Sequence, residues 1–175
     1  MGRLIEFRTR RGDLNAAATS YAQALQTAAK TGDAHLILLT KINMAKLAVA
    51  QGKFAAAAAA LQSLGEQADA LGLKYLSTQC LMLRGQAMVG MKDYANAQKE
   101  LTTASLRSEK LGLRVLRAQS QFQLARALEL SGNGSAAASH YQEARNAAAD
   151  VEKEAHTDRL AKRFDLAPIF NAKAQ

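Results

Sequence analysis

The chain has 175 residues, 38 of them alanine, with one proline, one cysteine, no tryptophan and a formal net charge of +8. Alanine loses no side-chain rotamer freedom in a helix, so the composition points to an all-α class. A lone Cys80 excludes an internal disulfide and makes a cytoplasmic setting the expectation; no apolar run reaches the ~20 residues of a membrane span, and residues 1–11 are too charged for a secretory signal.

In chain order, helices are expected over 4–11, 14–30, 34–51, 54–71, 74–91, 94–111, 114–131 and 135–154. The opening helix carries Leu4, Ile5 and Phe7, which need cover, and this suggests part of a longer protein. Gly32, Gly72 and Gly112 recur at forty-residue intervals, and Gly12, Gly52 and Gly132 share a second phase. Gly72 and Gly112 each follow a leucine that ends an apolar stripe, as a helix-closing residue with φ > 0 would. Gly12-Asp13, Gly52-Lys53, Lys92-Asp93 and Gly132-Asn133 read as tight turns into the next helix. Tyr21, Leu61, Leu101 and Tyr141 share the same period, and so do the small residues Ala45, Gly85 and Ala125. Those small residues leave room for the bulky ones on neighbouring helices. The alanine run 55–60 stays in register between Phe54 and Leu61 and reads as a thin, closely packed helix face.

A fixed period of this size marks a solenoid, in which each unit buries its apolar face against the next. The array is expected over 1–153, with breaks near 12, 52, 92 and 132 and three and a half to four repeats. Residues 154–175 form a capping helix or tail. A helix can continue over 158–164, whereas Leu166-Ala167-Pro168-Ile169-Phe170 does not fit a regular helix through its proline. Capping the last repeat, disorder, and docking on a neighbouring molecule's groove all fit that segment.

The pattern resembles the tetratricopeptide repeat family. It is carried by the small first-helix residue, by Gly-Lys-Phe, Lys-Asp-Tyr or Gly-Asp-Leu at the turn, and by Ala17, Ala57, Ala97 and Ala137, each with a bulky residue four positions on. The forty-residue period is similar to the extended Leu-Gly-Asn subclass rather than the commoner 34. The resemblance implies an α-solenoid of antiparallel helix pairs wound into a right-handed superhelix, with first helices lining a concave face that binds partner segments. Where that subclass commonly places an asparagine, this chain has Lys46, Gln86 and Arg126.

On that register the expected groove comprises Leu39, Ile42, Lys46 and Val49, then Gln79, Met82, Gln86 and Val89, then Gln119, Phe122, Arg126 and Glu129. Apolar patches beside long cationic and amide side chains suit an acidic, amphipathic protein or peptide segment. The bland reading is a solvated helix face. A rival reading is nucleic-acid binding through Arg3, Arg8, Arg10, Arg11, Arg107, Lys110, Arg114 and Arg117, though no aromatic residue is interleaved with the cluster 110–117 for base stacking.

Catalytic signals are weak. Gly132-Asn133-Gly134 lacks the preceding strand and the remaining residues of a phosphate loop. His35, His140 and His156 do not share a helix face with another ligand, and Cys80 lies in an apolar stripe, which favours an inert thiol. The reading is a non-catalytic protein-interaction scaffold without metal, cofactor or membrane contact, as part of a larger regulatory protein.

Overall fold

The computed structural model describes residues 13–157, 159–163 and 165–172. Of these, 82% are helical and none is in a strand. The helices among the described residues are α1 (Leu14–Thr31), α2 (Ala34–Ala50), α3 (Phe54–Ala70), α4 (Lys74–Gly90), α5 (Tyr94–Lys110), α6 (Arg114–Leu130), α7 (Gly134–Glu154) and α8 (Ala167–Asn171). The boundaries of α1 to α7 fall within one residue of those expected. The expected helix over 4–11 lies outside the described residues, as does Gly12.

The six breaks share a left-handed residue, and the five after α2 to α6 also share a pair of backbone bonds. Residues 32, 52, 72, 92, 112 and 132, spaced by twenty, all have positive φ, between 63° and 87°. At the break after α2, the Gly52 N–H donates to Val49 O at 3.0 Å and the Lys53 N–H to Ala48 O at 2.9 Å. This pair of bonds satisfies carbonyls that the helix end would otherwise leave open. The same 6→1 bond recurs as Leu73 N–H to Ala68 O, Asp93 to Met88, Leu113 to Ser108 and Asn133 to Leu128. The two glycine phases therefore share one geometry, and Gly52 and Gly132 close the helix before them just as Gly72 and Gly112 do. Lys92 takes the same left-handed conformation, with φ 63°, without glycine's freedom. For an L-residue that conformation costs about 1–2 kcal/mol. Side chains of Asp13, Asp33 and Asp93 accept from the N–H groups of Ala16, Leu36 and Asn96, capping the starts of α1, α2 and α5.

Consecutive helices pack antiparallel in an α-solenoid. The packing also sets its curvature: α2 touches α4 and α4 touches α6, while α3 does not approach α5 or α5 approach α7 to the same degree. First helices therefore form the inner, concave layer and second helices the splayed outer one. Ile42, Leu61, Leu76, Leu83 and Leu101 are fully buried between the layers, each contributing about 1.5–3 kcal/mol of transfer free energy. Ala17, Ala57, Ala97 and Ala137 are buried as well. At Gly85 a Cβ would lie 2.5 Å from Leu101 Cγ and 2.7 Å from its Cδ2, so Leu101 occupies the space that the missing side chain leaves.

After α7 the chain reverses at His156 (φ 46°) and runs back along the array. The Ala161 N–H donates to Glu152 Oε1 at 2.9 Å, and α8 packs on α7 and α6. Leu166 and Ile169 bury themselves against Ala118, Ala144 and Ala148. Of the three fates that fit the tail, the described part caps the last repeat. Pro168 is accommodated because it sits in the first turn of α8, where its missing N–H has no helical partner to lose.

Lys92→Gly should relieve the left-handed strain and raise stability by about 1 kcal/mol, read as a higher thermal midpoint. Gly85→Leu should overpack against Leu101 and cost about 1–3 kcal/mol or more. An unchanged midpoint for Gly85→Leu would contradict the helix register.

Candidate functional site

The concave layer carries a cavity of about 590 Å³ that spans three repeats. Helix α2 contributes Asn43, Lys46, Leu47 and Ala50, helix α4 contributes Met82, Leu83 and Gln86, and helix α6 contributes Gln119, Phe122, Gln123 and Arg126. In α2 and α6 these side chains follow the i, i+3, i+4, i+7 spacing of one helix stripe. Met82, Leu83 and Phe122 form an apolar floor, while Lys46, Gln86 and Arg126 stand in register along it. Tyr21 reaches in from α1, and Asp165, Pro168 and Ile169 of the tail close the opposite side.

Six of the twelve expected groove residues line the cavity: Lys46, Met82, Gln86, Gln119, Phe122 and Arg126. The others correct the expected stripe. Ile42, Val49 and Val89 are buried in the core between layers, because a one-residue step turns a helix face by about 100° and the lining positions are 43 and 50 rather than 42 and 49. Leu39 packs half-buried against that same core. Gln79 is half-buried and does not line the cavity, and its Oε1 has no hydrogen-bond partner. Glu129 is exposed at the end of α6 and accepts from the Tyr141 hydroxyl at 2.6 Å, a bond that with burial pushes the Tyr141 pKa up. Tyr141 in turn tilts against Phe122, with ring centroids 5.6 Å apart, and fixes the cavity wall.

Among the described residues, Asp165 of the tail is the one acidic residue that lines the site. Asp165 Oδ2 accepts from Gln119 Nε2 at 3.1 Å and from Arg163 at 2.7 Å. Burial pushes the Asp165 carboxyl up, but the hydrogen bond from Arg163 and the charges of Arg163 and Lys46 outweigh it and hold the pKa below the ordinary value. A carboxylate thus sits near Lys46 in the groove, on a segment with no repeat signature to announce it. Tyr21, expected only as one of the bulky residues for which the small first-helix positions leave room, also lines the cavity.

Of the eight basic residues in the rival reading, four are described, and three of those are ion-paired. Arg107 pairs with Asp69 at 3.2 Å, Arg117 with Glu109 at 3.3 Å, and Arg114 with Glu154. Lys110 is exposed, and Arg3, Arg8, Arg10 and Arg11 lie outside the described residues. Elsewhere, Arg84 and Glu100 form a bidentate pair joining α4 to α5, each side chain 19% exposed.

Residues singled out for chemistry hold structural places. Cys80 is buried, and desolvation pushes its thiol up to about 12, which removes the nucleophilic thiolate at neutral pH. His140 Nδ1 lies 2.7 Å from Gln121 Oε1, and Gly132 is a helix-closing turn. Among the described residues no group of His, Cys, Asp and Glu is arranged to hold a metal, and no helix is long and apolar enough to cross a membrane. A second depression, of about 640 Å³ around Glu152, His156 and Arg159, is open and lacks an apolar floor. No family model matches the chain, and no curated protein matches its sequence.

A thiol reagent should label Cys80 at the rate of global or local opening, and at full rate only after denaturation. Acid should also act in a defined direction. Asp69, Asp165 and Glu154 all have depressed carboxyl pKa values, so their stabilisation is present above the unfolded carboxyl range and is lost as pH falls through the lower folded values. The thermal midpoint should therefore drop below about pH 4, and Asp165→Asn should flatten part of that limb.

Proposed function

We propose that this chain is a non-catalytic, tetratricopeptide-like interaction scaffold of a cytoplasmic regulatory protein, and that its concave groove holds a segment of a partner protein. The observation that carries this reading is the register of Lys46, Gln86 and Arg126 beside the apolar floor of Met82, Leu83 and Phe122 in one cavity. Cationic and amide donors fix carboxylates and backbone carbonyls, while the floor takes apolar anchors. About 590 Å³ matches a few side chains of an extended or helical segment. The unpaired, buried Cys80 suits a reducing compartment. Ion pairing of Arg107, Arg114 and Arg117 lowers the charge offered to a phosphate backbone and puts nucleic acid behind a protein partner.

The test uses a peptide selected from a display library on the native chain. Arg126→Ala and Gln86→Ala should each weaken that peptide by about tenfold or more, a loss near 1.4 kcal/mol, with an unchanged melt. Lys46→Ala should do the same while also loosening the tail. Unaltered affinity in all three variants, or salt-steep binding of unrelated duplexes that survives them, would remove the groove from consideration.

A further inference from the structure

The wall of the groove already includes a ligand-like segment, and it belongs to this chain. Asp165 places its carboxylate against Gln119 and in the field of Lys46. Leu166 and Ile169, one and four residues on, are 0% and 1% exposed against α6 and α7. The cavity that remains is walled by Asp165, Pro168 and Ile169 on one side and by the repeat helices on the other, so the segment borders and narrows the groove while Leu166 anchors it against the last repeat.

We propose that segment 165–170 is a built-in occupant of the groove, and that the partner is a short protein segment of the same chemistry, a carboxylate followed at the next and fourth positions by branched aliphatic side chains, which displaces it. The proposal rests on the groove reading and names both the ligand class and its regulation. The five residues of α8 are too few to hold a helix by themselves. Their order comes from Leu166, Ile169 and the polar contacts of Asp165, so the segment can leave the groove without unfolding the array. A tethered competitor acts at high effective concentration and multiplies the apparent affinity of any incoming segment by the fraction of groove left open, lowering it by that factor. Opening is then set by partner concentration and by whatever else engages the tail.

The probe is a fluorescein-labelled peptide with the sequence of residues 162–172, titrated into the full chain and followed by anisotropy. Two full-length variants release the tail differently: Leu166→Ser with Ile169→Ser removes its apolar anchors, and Asp165→Lys removes its carboxylate while leaving those anchors intact. Circular dichroism and melting establish which of them keep the array folded, and the Asp165→Lys chain is decisive if the double variant does not. The released chain should bind the peptide at least about tenfold more tightly than the native chain, and a peptide carrying lysine in place of its aspartate should lose most of that binding. Saturating the native chain with peptide should also raise hydrogen exchange at 165–170. Equal affinity for native and released chains, with the display-selected peptide still sensitive to Arg126→Ala, would overturn self-occupancy and leave the groove reading standing. Absence of binding by both peptides to every form would overturn both.

Discussion

Everything in this molecule depends on stopping each helix after about five turns with a backbone that bends the chain back on itself. The residue at every twentieth position takes a left-handed conformation, and after α2 to α6 two backbone bonds satisfy the helix end, while after α1 the Thr31 hydroxyl takes the place of one of them. Uniform length then lets each helix meet its neighbours at equivalent residues. Gly85 against Leu101 works only because that register holds; a slip of one residue would turn a leucine into solvent and a polar side chain into the core. The cost of the constraint is visible at Lys92, where the conformation persists without a glycine because the packing on both sides requires it.

Curvature and function share a cause. Helices α2, α4 and α6 approach one another, while the second helices splay outward. The inner layer thereby gains a concave surface whose lining is set by helix phase. Charge is distributed to match: ion pairs such as Asp69 with Arg107 stitch outer helices of successive repeats, whereas Lys46 and Arg126 line the hollow. Exposed pairs of this kind add little stability each.

The architecture was legible in the sequence because equal spacing of glycines and bulky residues reports helix length directly. Spacing says less about direction. Positions 42, 82 and 122 are equivalent by period, yet Ile42 is fully buried in the core whereas Met82 and Phe122 line the cavity. Lys92 carried no compositional sign of its backbone state, and its place in the period alone pointed to a turn. The contribution of Asp165 and Ile169 was hidden for another reason: they lie outside the repeat, Asp165 accepts from Gln119 across 46 residues, and no local pattern encodes such a return.

The central claim is that partner segments enter the concave layer. Backbone amide chemical-shift mapping during titration with a display-selected peptide tests it most directly. The account predicts shifts concentrated at Lys46, Gln86, Phe122 and Arg126, with α3 and α5 nearly silent. Shifts concentrated on the outer faces of α3 and α5, with those four residues unmoved, would contradict it.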